Sequence, residues 1–396
     1  MAACCDRACG AHLQGYDPFA VRICHVIDNM HLDRGGPVAV VSALARTQTA
    51  QGHQVAVACR AVSRSPEESR LLRELIGEGP LLAEPDRDGT GLSRFLDDFR
   101  PDALHLHAVW ESILRRAAGW ASRRGVPWLT STHGLLHPMA MRKGWLKKRL
   151  YLALLGGFVS RSRRVLTLNR QECEHVRRSL RARTEVMPNG VDLDMDADAD
   201  PVAFLDSHPS IPPRPFILAM GRVHPVKGFD RLVDAYARAR RLGEMPDLVI
   251  VGPMDGGEAA VLEAARRGGV GPHVHLVGPA FGRARSQALA ACALLAHRPR
   301  YEGFGMVVAE AMASGRAVVT TSVTGLAREA PAGVMRIATD TDESFGQALH
   351  ETVSRIDDTR AMAERGRAWT MRELAWPALT TRLEALYQPD PNKRAC

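Results

Sequence analysis

Two carboxylates, Glu302 and Glu310, sit in a run of otherwise small and apolar residues, Glu-Gly-Phe-Gly-Met-Val-Val-Ala-Glu-Ala-Met-Ala-Ser-Gly. Glu310 is the single charged residue of Met306–Ala313, a segment apolar on every side, which therefore reads as a buried helix. A buried carboxylate is costly unless it is paired or hydrogen-bonded. Glu302 lies in the turn just before that helix, whose first amides are unsatisfied and favour negative charge. Carboxylates accept from hydroxyls, and a helix N-terminus accepts phosphate. A sugar joined to a nucleotide through a diphosphate offers both groups. The same residues also suit a plain structural helix with one core ion pair and one N-terminal acid. Earlier in the chain, Arg222 and Lys227 stand five residues apart in Gly-Arg-Val-His-Pro-Val-Lys-Gly. Two cations on one strand-to-helix loop can neutralise two phosphates, the arginine bidentately and the lysine as a point charge.

The elements that must position these groups follow from the apolar pattern. Gly303 and Gly305 open the helix, Gly315 closes it, and Ala317–Thr321 reads as a buried strand. Val21–Ile27, a loop containing Arg34-Gly35-Gly36-Pro37, the helical spacing of Val38–Ala50 and the alternation of Gln54–Cys59 make a β–loop–α–β opening. That order predicts a parallel sheet. Gly35 and Gly36 let backbone approach a ligand, with a helix N-terminus behind them. The loop lacks G-x-G-x-x-G, which argues against a dinucleotide-binding dehydrogenase. Asp102–His107 is a further strand with His105 and His107 on one face; with no third ligand nearby, ordinary hydrogen bonds are the better reading than zinc. Val126–Ser131 runs into His133, at a strand's C-terminal end, where ligands bind α/β sheets. His137 is read as a loop residue. Arg164–Asn169 and Glu185–Val191 complete the first set of strands, and Pro215–Met220, Asp247–Val251, Val274–Gly278 and Ala293–Ala296 belong to a second.

A chain of 396 residues with 45% apolar and 24% charged residues has room for two ordinary globular domains. Its net charge of +8 suits anionic partners in general. With 5% aromatics and no aromatic-and-basic platform, nucleic acid is not expected among them. The eight cysteines, Cys4, Cys5, Cys9, Cys24, Cys59, Cys173, Cys292 and Cys396, have no paired spacing and read as reduced thiols of a cytoplasmic protein. No leader or membrane-spanning run is expected. The stretch Arg142–Leu150 mixes five basic residues with Trp145, Leu146 and Leu150, which suits either an anionic membrane surface, by peripheral contact, or a solvated face of one charge sign. Asp192 to Asp200 alternates acids without apolar partners and runs towards prolines, so a solvated linker is expected rather than an Asp-x-Asp manganese site.

Glu302 and Glu310 in their surroundings resemble the E-x7-E motif of retaining family 4 glycosyltransferases of the GT-B fold. The resemblance extends over roughly residues 21 to 388. It includes the His-Gly-Leu-Leu-His-Pro stretch, Pro-Asn-Gly-Val-Asp at 188–192, Gly-Arg…Lys-Gly at 221–228 and a closing helix marked by Trp369 and Trp376 and ending near Tyr387. It is strongest towards enzymes of bacterial surface-polysaccharide synthesis. The chain departs from the family's pattern at Gly252-Pro253-Met254-Asp255-Gly256 and at His297-Arg298-Pro299-Arg300, which bears on the choice of donor.

The resemblance implies an α/β fold with two Rossmann-like domains whose parallel sheets face across a cleft. The expected division is a disordered 1–20, an acceptor-side domain 21–195, a linker 196–214, a nucleotide-sugar domain 215–372, and a crossing helix with tail 373–396. It implies retaining, metal-independent transfer of a hexose from a nucleotide-diphosphate sugar, with no cofactor, to a hydroxyl of a saccharide or lipid-linked saccharide. His133, Arg222, Lys227 and Glu302 form the implied catalytic group. Gly35 and Gly36 face the donor phosphates, the amides of Phe304, Gly305 and Met306 assist Glu302 with the ring hydroxyls, and Glu310 takes the ribose. The alternatives are a small acceptor such as an aminocyclitol, a nucleotide-sugar 2-epimerase, and a non-catalytic binder of nucleotide sugar.

Overall fold

The computed structural model describes residues 20–31, 36–61, 70, 72–74, 76, 77, 79, 81–83, 90–192, 199–280 and 282–387. Gly35, the acidic run at 193–198, Cys4, Cys5, Cys9, Cys396 and both chain ends lie outside the described residues.

Short, continuously apolar segments cannot present a polar face, so they form strands covered on both sides. Seven build the first sheet: β1 (Arg22–Val26), β2 (Gln54–Cys59), β3 (Leu81–Ala83), β4 (Ala103–His107), β5 (Trp128–Ser131), β6 (Arg164–Thr167) and β7 (Thr184–Val186), in the order β3-β2-β1-β4-β5-β6-β7. Six build the second: β8 (Phe216–Met220), β9 (Leu248–Val251), β10 (Val274–Leu276), β11 (Cys292–His297), β12 (Ala317–Thr321) and β13 (Arg336–Ala338), in the order β10-β9-β8-β11-β12-β13. Every strand pair is parallel. The edge strands β3 and β13, three residues each, carry no periodic signal and were not expected from sequence. Pairing with β2 and β12 supplies what their own residues lack.

In each sheet the order reverses once, between β1 and β4 and between β8 and β11. Such switch points leave a crevice at the C-terminal ends of the strands, where ligands of α/β sheets bind. The helix Met306–Ala313 follows β11 and buries Val307 to Met312, as its apolar circumference requires.

The expected linker differs from what forms. Pro201–Asp206 is a helix, capped by the Asp200 carboxylate accepting from the Val202 amide at 2.9 Å. Its Phe204 is buried in the second lobe's core beside Phe216 and Leu289. A capping acid followed by proline at the first helical position starts a helix that one aromatic side chain can then dock. At the other end, the helix Ile356–Glu373 is followed by Trp376–Tyr387, which returns to the first lobe. Trp376, Leu379, Leu383 and Tyr387 share a core with Val40, Ala43 and Leu44 of the helix Gly36–Ala50.

Candidate active site at the cleft

On the second lobe, the loop after β8 carries Arg222 and Lys227. Pro225–Lys227 makes a tight 3-10 turn, with His224 Nδ1 accepting from the Val226 amide at 3.1 Å. Gly228 closes it at φ 66°, where a Cβ would lie 2.4 Å from the Arg298 carbonyl, so no other residue fits there. The loop thus lies against the residues following β11. Lys227 Nζ reaches Glu302 Oε2 at 2.5 Å, and His297 Nε2 stands 3.6 Å from the same oxygen. Burial opposes charge on Glu302, but Lys227 and His297 outweigh it and hold the carboxyl far below the usual range. Glu302 is therefore an ionised acceptor at neutral pH. Immediately after it, the amides of Phe304, Gly305 and Met306 donate to no other group among the described residues. An ammonium, a carboxylate and open helix-start amides thus converge at the switch point of the second sheet.

Arg222 and Glu310 are not part of that contact. Arg222 Nη1 donates to Asp255 Oδ2 at 2.8 Å and is 58% exposed, free to re-partner at the loop surface. Glu310 projects from the second turn of its helix into a direct ion pair with Arg285, so one of its oxygens is already engaged. Arg285 carried no sequence signal, since it lies in a separate helix, Arg283–Ala291. The residues that replace the family's usual pattern after β11 brace the lysine loop. Arg298, 2% exposed, binds Asp342 at 2.6 Å and the Arg231 carbonyl at 2.6 Å. Arg300 binds both oxygens of Asp230 and the Pro225 carbonyl at 2.7 Å.

On the first lobe, Gly36 starts the helix Gly36–Ala50. His133 adopts φ 49° just beyond β5 and is the partly exposed end of a histidine chain. His133 Nε2 lies 3.0 Å from His107 Nδ1, and His107 Nε2 lies 3.0 Å from His25 Nδ1. The expectation that no third histidine joins His105 and His107 is corrected here: His25 of β1 lies in register with His105 and contacts both rings. Sequence separation hid it; the parallel register of β1 and β4 brings it in. Every ring nitrogen of the three is hydrogen-bonded, to one another, Gln48, Tyr387, Ser131 or His133. Burial holds His25 and His133 down at about 4 and pushes His105 and His107 the same way, so all four rings are neutral. His137 caps the short helix Pro138–Arg142, accepting from the Met139 amide at 3.2 Å.

The lobes meet around the acidic turn. Asn169 Nδ2 donates to the Gly303 carbonyl at 2.8 Å, and the Tyr301 hydroxyl donates to the Gly134 carbonyl at 3.2 Å. Arg170 N donates to Glu329 at 2.9 Å, and Arg328 pairs with Gln171. Gly134, next to His133, thus lies against Gly303, next to Glu302.

Two parallel sheets facing across a cleft, with polar groups at each switch point, define the GT-B class of glycosyltransferases. The Anabaena protein HepE bound to UDP and glucose has the same fold, with a TM-score of 0.72 at 17% identity over 92% of this chain and 98% of that one. The chain belongs to glycosyltransferase family 4: residues 34–195 match "Glycosyltransferase Family 4" and residues 214–355 match "Glycosyl transferases group 1". A D-inositol 3-phosphate glycosyltransferase of Segniliparus rotundus is 27% identical over 71% of this chain and 67% of its own length. A GDP-mannose-dependent alpha-(1-6)-phosphatidylinositol monomannoside mannosyltransferase of Mycobacterium tuberculosis is 28% identical over 54% of this chain and 58% of its own length.

Proposed function

We propose that this chain moves a hexose from a nucleotide-diphosphate sugar to an acceptor hydroxyl with retention at the anomeric carbon. The contact between Lys227 and Glu302 beside open helix-start amides carries this reading. Lys227 and, once released from Asp255, Arg222 neutralise the diphosphate, and the pre-oriented amides cost no reorganisation as charge develops. Glu302 accepts from the sugar's hydroxyls and Glu310, steadied by Arg285, from the ribose. Gly36 opens the first-lobe helix towards the phosphates, and His133 lines the sugar's side of the cleft. Attack comes from the face the diphosphate leaves: the anomeric C–O bond to phosphate breaks, the bond to the acceptor oxygen forms, and the acceptor's proton passes to the departing phosphate oxygen. Protein cations and dipoles do the work of a metal ion, and no cofactor takes part.

The acceptor is a saccharide or lipid-linked saccharide of cell-surface synthesis, met at the inner face of the cytoplasmic membrane. The helix Trp145–Leu155 supports that placement, because Trp145, Leu146, Leu150 and Leu154 are 55%, 66%, 58% and 72% exposed beside Lys147 and Arg149. No helix among the described residues is long and apolar enough to cross a membrane. A small cyclitol acceptor is the second reading, favoured by the inositol phosphate named for the Segniliparus relative.

Thermal-shift screening of UDP- and GDP-sugars should find a donor that raises the melting temperature. With that donor, Lys227→Ala and Glu310→Gln should each lower turnover at least about 100-fold, or roughly 2.7 kcal/mol, while circular dichroism stays unchanged. The product's anomeric coupling should match the donor's, and activity should survive EDTA. Near-normal turnover in both variants, or an inverted product, would overturn the assignment; release of free sugar without acceptor would favour the epimerase.

A further inference from the structure

The histidine chain of the first lobe has one buried end and one end at the cleft. At the buried end His25 Nε2 lies 2.8 Å from Gln48 Oε1. Gln48 Nε2 in turn donates to the Tyr387 hydroxyl at 3.3 Å, and that hydroxyl lies 2.8 Å from His105 Nδ1. His105 Nε2 ends the second branch on Ser131 Oγ at 2.7 Å. Gln48, His25 and His107 are 0% exposed, and Tyr387 and His105 are 1% exposed, so water does not substitute for any of these contacts.

We propose that Gln48, oriented by Tyr387, is a positioning residue that fixes the proton on every ring of this chain, so that His133 offers an unprotonated Nδ1 to the cleft. An amide carbonyl can only accept. His25 must therefore carry its proton on Nε2, which leaves its Nδ1 bare. A bare Nδ1 needs a donor, so His107 is protonated at Nε2 and bare at Nδ1. The same logic passes to His133, protonated at Nε2 towards His107. Its Nδ1 has no partner among the described residues and takes the role of acceptor. Neutral rings are essential, since a charged ring would donate from both nitrogens and break the sequence. The partners of the four rings include no carboxylate among the described residues, only Gln48, Tyr387 and Ser131.

The direction of the whole chain is set by one amide. Turned over, Gln48 would donate to His25, and each ring would switch tautomer in step until His133 Nδ1 carried a proton. Tyr387 belongs to the returning helix Trp376–Tyr387, so the closing element of the chain sets the hydrogen-bonding character of a group at the opposite end of this network. That His133 Nδ1 then receives a sugar or acceptor hydroxyl, and repels a bare oxyanion, rests on the transfer reading above.

The test is made on the full chain, labelled with nitrogen-15 in histidine, without donor, at pH 7. Long-range proton–nitrogen correlation distinguishes the two tautomers, and loss of one pattern in His133→Gln identifies His133. The expected wild-type result is the Nε2–H pattern for His133. Tyr387→Phe, which frees the amide to turn, and Gln48→Leu, which removes the acceptor, should each convert it to a mixture with at least about a third of the other form. A protonated or Nδ1–H His133 in the wild type overturns the proposal, and so does an unchanged His133 pattern in both folded variants. Because the spectrum is read without substrate, it decides the matter even if no nucleotide sugar proves to be a donor.

Discussion

At the scale of single residues the cleft is defined by how burial is offset. Glu302 is a partly buried acid whose charge survives because Lys227 and His297 stand against it. The histidine chain is the opposite case: nothing charged compensates it, so burial wins and the rings stay neutral. This has a pH consequence with a definite sign. An unfolded histidine titrates near 6.5, whereas His25 and His133 titrate at about 4 in the folded chain. Between those values the unfolded chain binds more protons, so the stability they supply is complete above about pH 6.5 and is lost as pH falls towards 4. For His25 alone the step from pH 7 to pH 5 amounts to roughly 2 kcal/mol. Thermal melts should show a fall of several degrees over that interval, and a smaller one in His25→Asn. A melting temperature that is level or rises on acidification would contradict the buried neutral rings.

Among the elements, the returning helix Trp376–Tyr387 has wide consequence, because it packs into the first lobe's core from the far end of the described residues. Its Trp376 ring is clamped against Gly190 so closely that a Cβ there would lie 2.3 Å from the ring. Gly190→Ala must push the indole out of the core it shares with Val40 and Leu44. The expected cost is about 1–3 kcal/mol, read as a lower urea midpoint. Native-state hydrogen exchange should show the faster amides concentrated in 376–387. Uniform loosening across both sheets instead would mean that this helix is not a separate unit of stability. The helix Trp145–Leu155 is the other exceptional element, since none of its residues is buried. Gly144, at φ 69°, separates it from Pro138–Arg142, so the basic stretch at 142–150 is two helices and a hinge residue rather than one amphipathic rod.

For the whole molecule, the exposed helix and the net charge of +8 make one prediction together. The chain should float with vesicles containing anionic phosphatidylglycerol at low salt, and release as salt screens the attraction. Leu146→Glu with Leu150→Glu should abolish flotation without lowering the melting temperature by more than a degree or two. A wild-type chain that stays at the bottom of the gradient at low salt would remove membrane contact from the functional reading. The lobes meet at Asn169–Gly303 and Tyr301–Gly134, so on the proposed reading a donor held by Lys227 and Glu302 would lie next to the contact between the lobes.

The sequence by itself determined the elements that carry their own reasons. The apolar runs became strands, Met306–Ala313 became a buried helix, and Gly228 and Gly315 ended their elements as left-handed residues. It also singled out Glu302 and Lys227, which the fold brings to 2.5 Å from each other. Tertiary structure alone decided the partners. His25 reached His107 across 82 positions, Arg285 reached Glu310 from another helix, and Arg300 came to brace the lysine loop at the Pro225 carbonyl. The short edge strands β3 and β13 exist only because a neighbour supplies their hydrogen bonds. Local pattern encodes what a segment does with its own backbone; which side chain answers a buried charge depends on register and packing, which no local pattern contains.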